Sequence, residues 1–274
     1  MTIPMRNSNP SFSHSVVPPT LPDHRVVASA RMHLLGLGLD ALTMQETIDR
    51  CRDLAHAGGT HQHVVLNAAK VVAAQSDDTL RSIINTCDVI NADGQAVVWA
   101  GRLLGHRVPE RVAGIDLFLK LVRAAADDGD PIFLLGAEQS VVDRTARVLR
   151  ERHPKLEIAG IRNGFWSDDD EVISQVRAAK PTYLFLAIPS PRKEFWLNAK
   201  LEALGVPFAM GVGGSFDVVA GKTRRAPKLM QRMGLEWTWR LLQEPRRMFK
   251  RYWTGNREFI KLVATERQRL RAER

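Results

Sequence analysis

The chain has 274 residues, of which 45% are hydrophobic and 25% are charged, a composition that suits one large globular domain or one domain with an appendage. Two cysteines, Cys51 and Cys87, exclude a disulfide framework, and their apolar surroundings predict buried thiols in a reducing compartment. The net charge of +9 is concentrated in residues 222–274, which hold 16 Lys and Arg against five Asp and Glu. This asymmetry indicates an anionic partner, such as a membrane surface, a nucleic acid or a phosphorylated ligand.

The first 30 residues hold five prolines among serines and asparagines and lack the apolar core of a signal peptide. We therefore predict a disordered leader over residues 1–30. No stretch of the sequence is long and apolar enough to span a bilayer. Residues 33–37 are typical of a short strand. A capping box at Thr43-Met44-Gln45-Glu46 then opens a helix that reaches about residue 57.

Strand and helix patterns alternate through the next 150 residues. Strands are predicted at 63–66, 89–90, 132–136, 156–161, 183–187 and 206–212, and helices at 68–75, 77–86, 95–104, 115–127, 140–152, 168–179 and 191–204. This order predicts an α/β fold with a mostly parallel sheet covered by helices on both faces. After Gly221 the pattern changes to basic, tryptophan-rich helical segments at 235–242, 246–252 and 259–270. We divide the chain into the leader, an α/β domain at 31–221 and a helical appendage at 222–274.

Several predicted strands end in polar or glycine-rich residues: Asn67, Asp93, Gly136 and the segment 211–215. The carboxyl ends of parallel strands meet at one edge of the sheet, where ligands of α/β proteins bind. An acid at position 93 could act as a general base there. The alternative is a plain Asp-Gly turn with Asp93 as a helix N-cap, and position alone favours that alternative. Backbone N–H groups at Gly213 and Gly214 could approach a phosphate.

Common nucleotide and hydrolase motifs do not appear in the sequence. It has no Gly-x-Gly-x-x-Gly after the first strand, no Walker A sequence and no Gly-x-Ser-x-Gly elbow. We interpret His61 and His63 as solvated or capping residues, and the acidic run 168–170 as a helix start, so no metal site is expected. Without a metal, phosphate charge would be neutralised by basic side chains, for which the candidates are Arg111, Arg240, Arg246, Arg247, Lys250 and Arg251.

A set of motifs stands in a fixed order along the chain. They are Asn91-Ala92-Asp93-Gly94, Pro109-Glu110-Arg111-Val112-Ala113-Gly114-Ile115-Asp116, Phe133-Leu134-Leu135-Gly136, Pro191-Arg192-Lys193-Glu194-Phe195-Trp196, the segment 211–217, and Arg225-Ala226-Pro227 followed by Leu235-Glu236-Trp237. This ordered set, over about residues 33–262, resembles the WecG/TagA/CpsF family of glycosyltransferases.

The resemblance implies a Rossmann-like α/β domain with a C-terminal helical appendage that closes over the active site. It implies inverting transfer from a UDP-sugar donor to a polyprenyl-diphosphate-linked sugar acceptor, at the inner face of the bacterial cytoplasmic membrane. The polymers built in this way are teichoic-acid linkage units, enterobacterial common antigen and exopolysaccharide. The family's usual mechanism requires no metal, so we expect no metal and no other cofactor.

The same resemblance assigns roles to residues of this sequence. Asp93 matches the general base and Arg111 an active-site arginine. The positions that match donor or UDP contacts are Asn67, Gly136, Lys193, Gly213, Gly214, Asp217, Arg240, Arg247 and Arg251. Two departures fall near the sugar or diphosphate: Val65 replaces a frequent Thr, and Lys193 replaces a frequent Gln. The donor sugar therefore stays open among N-acetylmannosamine, its uronic acid and glucose.

Two other functions compete with glycosyl transfer. A nucleotide-sugar hydrolase or epimerase on the same sheet would leave the basic, tryptophan-rich appendage unexplained. A nucleic-acid binder would use the appendage but would need no acid at Asp93, so we expect no nucleic-acid partner. The appendage suits an anionic membrane interface and equally suits packing on the α/β domain through its tryptophans. Its apolar faces leave both a homo-oligomer and a monomer open.

Overall fold

The computed structural model describes residues 31–232, 236–243 and 245–273, and gives only the backbone for residues 232, 237, 240 and 245–254. The predicted leader lies outside the described residues. The first element is a hairpin of β1 (Arg31–Leu34) and β2 (Leu37–Asp40). The single strand predicted at 33–37 is therefore wrong. Leu35 and Gly36 take positive φ angles of 53° and 78°, which turn the chain back in the manner of a type I′ hairpin.

A parallel sheet of six strands forms the centre of the molecule. The strands are β3 (His61–Leu66), β4 (Val89–Ala92), β5 (Ile132–Gly136), β6 (Ile158–Arg162), β7 (Tyr183–Ala187) and β8 (Phe208–Gly211). Their order across the sheet is β4-β3-β8-β7-β5-β6, and each neighbouring pair is parallel. The predicted α/β class with a parallel sheet is confirmed.

Helices connect the strands along the chain and continue after the last of them. They are α1 (Met44–His56), α2 (Ala68–Ser76), α3 (Asp78–Thr86), α4 (Gln95–Leu103), α5 (Gly114–Asp128), α6 (Gln139–Arg152), α7 (Asp169–Ala179), α8 (Arg192–Leu204), α9 (Ser215–Val219), α10 (Lys228–Arg232), α11 (Glu236–Gln243) and α12 (Pro245–Ala272). The capping box predicted at the start of α1 is present, with Thr43 and Glu46 bonding each other's backbone N–H groups.

Both faces of the sheet are covered, as strand β7 shows. Tyr183 and Phe185 belong to the core formed with α1, α5, α6 and α9, and the Phe185 ring lies 4.8 Å from that of Phe118. Leu184 and Leu186 belong to the opposite core, which includes side chains of α7 and α8. Alternate residues of a strand point to opposite faces, so a strand buried on both faces is apolar throughout.

The carboxyl-terminal segment packs on the α/β domain. The two helices predicted at 246–252 and 259–270 are one continuous helix, α12, which lies against α2. Phe259 and Val263 are 4% and 7% exposed in a core shared with Val71 of α2 and Val97 of α4. Phe259 and Val263 make this contact. Packing of the appendage through its tryptophans was one of two alternatives from the sequence, and the side chains of Trp237 and Trp253 lie outside the described residues. No helix in the described ranges is long and apolar enough to cross a membrane.

Candidate active site

The carboxyl edge of the sheet brings together the strand ends singled out in the sequence. Asp93 follows the outermost strand, β4, and Asn67 follows its neighbour, β3. Gly213 follows β8, the third strand, and Gly136 ends β5, the fifth. Four strand spacings separate β4 from β5, a distance of roughly 19 Å. The edge therefore carries a row of loops about this long, with Asp93 at one end and Gly136 at the other.

The Asp93 side chain lies at the amino terminus of a helix. Its backbone N–H donates to the Leu66 carbonyl oxygen at 2.9 Å, which ties the turn to β3. Its carboxylate Oδ1 accepts from the backbone N–H of Gly114, the first residue of α5, at 3.3 Å. A helix N-terminus favours negative charge. The N-cap of α4 is Gly94 and has no side-chain cap, so the interpretation of Asp93 as an N-cap is wrong.

Asn67 lies beside the Asp93 turn and caps helix α2. Its side-chain oxygen accepts from the backbone N–H of Lys70 at 3.0 Å. A Cβ atom added to Gly94 would lie 3.4 Å from the Cα of Asn67, so the two loops approach closely. Because capping uses the amide oxygen, the amide nitrogen is the group that Asn67 can offer to a ligand.

A buried ion pair lies beneath these loops. Lys70 Nζ donates to Glu194 Oε1 at 2.7 Å and to the Val65 carbonyl oxygen at 2.7 Å, and both charged side chains are under 5% exposed. Ser190 donates to Glu194 Oε2 at 2.9 Å. Burial would raise the pKa of Glu194, but the charges of Lys70 and Lys193 outweigh it and hold that pKa below its usual value. This carboxylate balances one of two buried ammonium groups.

Lys193 is the second buried cation. Its Nζ donates to the Gly211 carbonyl oxygen at 3.1 Å, and a Cβ added to Gly211 would lie 2.9 Å from its Cδ. The position of a Cβ added to Gly213 is 3.8 Å from Nζ, so the ammonium lies under the glycine-rich loop. Burial and the charge of Lys70 lower its pKa to about 8, whereas the negative charges of Glu194 and Asp93 act in the opposite direction. Lys193 thus brings positive charge close to Asp93.

His63 was expected to be solvated, and this expectation is wrong. It lies on β3, between β4 and β8, and is 1% exposed, whereas His61 is partly exposed. Its Nε2 lies 3.1 Å from Asn91 Oδ1; Asn91 donates to Thr47, and Thr47 to the Thr43 carbonyl oxygen. This chain of bonds makes Nε2 a donor, and Nδ1 has no hydrogen-bond partner among the described residues. Burial lowers the pKa of His63 to about 3, so the ring is neutral.

This buried histidine should make stability depend on pH. Between its folded pKa of about 3 and its unfolded value of about 6.5, only the unfolded chain binds the proton, so stability falls as pH falls. From pH 7 to pH 5, we expect the wild-type chain to lose about 2 kcal/mol more than His63→Gln. Urea unfolding at both pH values measures this, with the exposed His33→Gln as control. Equal losses in wild type and His63→Gln would contradict it.

The other end of the edge is formed by the loops after β5 and β8. Gly136 has a φ of +121°, and a Cβ there would lie 2.5 Å from the Ala187 carbonyl oxygen, so only glycine fits. Lys222 Nζ lies 2.9 Å from Glu138 Oε2 and 3.8 Å from Asp217 Oδ1. Lys222, which the sequence analysis did not single out, therefore links the loop after β5 to helix α9.

Arg111 pairs with the first residue of α11. Its Nη1 donates to Glu236 Oε2 at 2.8 Å. Glu236 Oε1 also accepts from Arg225 Nε at 3.1 Å, and Arg225 forms a bidentate pair with Asp116 at 2.6 and 2.7 Å. The hydrogen bond to Asp116 raises the pKa of Arg225. The side chains of Arg240, Arg247 and Arg251 lie outside the described residues, although their backbone is helical.

The model of the WecG/TagA/CpsF glycosyl transferase family matches residues 32–273, nearly the whole chain. The chain belongs to this family. A relative from Bacillus spizizenii, an N-acetylglucosaminyldiphosphoundecaprenol N-acetyl-beta-D-mannosaminyltransferase, is 34% identical over 174 residues, which cover 64% of this chain and 68% of the relative. A relative of the same name from Staphylococcus aureus MW2 is 28% identical over 222 residues, covering 80% and 87%. The protein is therefore a glycosyltransferase.

Some residues around the site of this glycosyltransferase were not selected from the sequence. Glu194, Arg225 and Glu236 lie inside the quoted motifs, but nothing local shows which side chains they meet. Lys70 lies in the first turn of a helix and carries no sequence signal of burial. Within the described residues, no group of three or more His, Cys, Asp or Glu side chains is arranged to hold a metal ion. Basic groups described at the site include Lys70, Lys193, Lys222 and Arg111.

Proposed function

We propose that this glycosyltransferase moves a sugar from a UDP-sugar to a polyprenyl-diphosphate-linked sugar, with inversion at the anomeric carbon. The observation that carries the proposal is the placement of Asp93. Its carboxylate lies at the N-terminus of α5, on the ligand-binding edge of a parallel sheet, close to the charge of Lys193. An acid in such a place can take a proton from an acceptor hydroxyl.

In the proposed reaction Asp93 is the general base. It removes the proton of the acceptor hydroxyl as that oxygen attacks the anomeric carbon on the face opposite the leaving group. The new oxygen–carbon bond forms while the bond from the anomeric carbon to the diphosphate oxygen breaks, and the electron pair leaves with UDP. Arg111, Lys193 and the appendage arginines would stabilise the charge that develops on the diphosphate without a metal ion.

The row of loops supports an orientation for the donor. With the sugar near Asp93, the diphosphate would lie over Gly213 and Gly214, whose N–H groups and the Lys193 beneath them suit phosphate oxygens. The uridine would then lie toward Gly136 and Asp217. The names of the two relatives make N-acetylmannosamine the first donor sugar to test and lipid-diphosphate-linked N-acetylglucosamine the first acceptor.

The test is release of UDP from a panel of donors, with and without a short-chain prenyl-diphosphate-sugar acceptor. The panel holds UDP-N-acetylmannosamine, its uronic acid and UDP-glucose. Release that depends on acceptor, with one donor, supports the proposal and names the sugar. Equal release without acceptor would instead indicate a hydrolase. A control with and without chelator tests whether a metal is needed.

We also propose that the enzyme works at the anionic inner face of the bacterial cytoplasmic membrane, in synthesis of a cell-envelope polymer or exopolysaccharide. Trp99 and Leu103, one turn apart on α4, are 58% and 48% exposed. Arg102 and Arg107 are exposed beside them, and residues 95–109 contain no acid. Exposed rings and apolar side chains flanked by arginine suit an anionic bilayer interface. Helix α4 begins two residues after Asp93 and shares a core with the basic helix α12.

Replacing these apolar residues tests the membrane proposal without disturbing the core. We expect Trp99→Ser/Leu103→Ser to reduce binding to anionic phosphatidylglycerol vesicles by about tenfold, because two exposed apolar side chains leave the interface. Vesicle sedimentation at low and high salt measures this. The matched control is Phe165→Ser, which removes an exposed ring on the loop after β6. Unchanged vesicle binding would contradict the proposed surface. So would a variant that loses self-association instead, because these side chains would then form a contact between copies of the chain.

A further inference from the structure

The carboxylate of Glu236 forms a hydrogen-bonded ion pair with the guanidinium of Arg111. Glu236 Oε2 lies 2.8 Å from Arg111 Nη1, and its other oxygen lies 3.1 Å from Arg225 Nε. The side chains of Arg111 and Glu236 are 15% and 23% exposed, so solvent screens the pair only in part. Glu236 is the first residue of α11, which belongs to the appendage. A residue of the appendage therefore neutralises the arginine that the reaction is proposed to use.

The two arginines around Glu236 differ in their partners. Arg225 holds Asp116 through two bonds of 2.6 and 2.7 Å in addition to its contact with Glu236. Among the described side chains, Arg111 donates its hydrogen bond to Glu236. Loss of Glu236 would thus leave Arg225 paired and Arg111 without its carboxylate. Asp116 lies in the first turn of α5, the helix whose first N–H donates to Asp93, so the network reaches the candidate base.

We infer that Glu236 is the resident anion of the Arg111 site, and that a phosphate group of the substrate displaces it on binding. Carboxylate and phosphate oxygens accept the same hydrogen bonds from a guanidinium, so they compete for Arg111. Once displaced, Glu236 stays with Arg225, and α11 loses its ion pair with Arg111 of the α/β domain. Substrate binding is thereby linked to the position of the appendage. This inference rests on the proposed function, and Glu236 acts as a positioning residue.

The test measures binding of inorganic pyrophosphate and of UDP to the full-length chain by calorimetry. We expect Glu236→Gln to bind both about three- to tenfold more tightly than wild type, since a neutral amide competes less well for Arg111. Uridine, which has no phosphate, should bind both proteins equally. The matched control is Glu110→Gln, which removes an exposed negative charge one residue from Arg111 and should change pyrophosphate affinity less than twofold. Thermal melts check that each variant is folded.

Amide hydrogen exchange supplies a second measurement. If Glu236 had only a structural role, pyrophosphate would not change this exchange. In wild type, pyrophosphate should raise amide exchange in residues 236–243, whereas in Glu236→Gln exchange should be high already and insensitive to pyrophosphate. Equal or weaker pyrophosphate binding by the variant would overturn the inference, as would a wild-type chain that binds no pyrophosphate. If pyrophosphate behaves as expected but no UDP-sugar reacts, the inference stands and the proposed function fails.

Discussion

Replacing Asp93 by asparagine is expected to lower sugar transfer by about 10²- to 10⁴-fold, because the variant has no group to accept the acceptor's proton. The fold should persist, since an asparagine amide oxygen can still accept from the Gly114 N–H that now bonds Asp93 Oδ1. UDP binding should be retained, because the substitution removes none of the basic side chains that could bind the diphosphate. Product formation by mass spectrometry and UDP affinity by calorimetry measure the two effects separately.

The control for this variant removes the same charge elsewhere. Asp170→Asn alters an exposed acid in the first turn of α7, far along the chain from the β4 turn, and should retain full transfer. Full transfer by Asp93→Asn would exclude the carboxylate as base. Loss of UDP binding together with transfer would show instead that Asp93 supports the donor site as a whole.

Replacing Glu194 by glutamine is expected to cost about 3–5 kcal/mol of unfolding free energy, the usual cost of removing one partner of a buried ion pair. Lys70 and Lys193 would then lie buried near each other with no carboxylate within hydrogen-bonding distance of either in the described part of the chain. Equilibrium urea unfolding measures this loss. Glu202→Gln, an exposed change on the same helix, is the matched control and should cost less than about 0.5 kcal/mol.

A double variant separates the charge from the packing. Lys70→Met/Glu194→Gln should be more stable than the sum of the single changes predicts, because it removes both members of the pair. Additive losses would show that the contact between the two charges contributes little. A loss below about 1 kcal/mol in Glu194→Gln alone would mean that water reaches the cluster, contrary to the 2% exposure of that side chain.

The sequence alone was enough to predict most of the strands and helices and the edge of the sheet at which the candidate site lies. Apolar runs such as 183–187 and the Thr43–Glu46 capping box are local signals, and both gave elements that the structure contains. Their alternation predicts parallel strands, and parallel strands place their carboxyl ends together. The position of Asp93 beside Asn67 follows from that rule. The turn at Leu35 and Gly36 was missed because the hairpin strands have only four residues each.

Tertiary structure alone decided which charges meet. Lys70 and Glu194 are 124 residues apart in sequence, and Arg111 and Glu236 are 125 apart. Their pairing depends on the strand order, in which β8 lies between β3 and β7, and on α11 reaching the site edge. His63 likewise appears polar in sequence but is buried because its strand lies between two others in a sheet covered by helices. Propensity and hydrophobic period describe neighbours along the chain, whereas burial and charge pairing are set by neighbours in space.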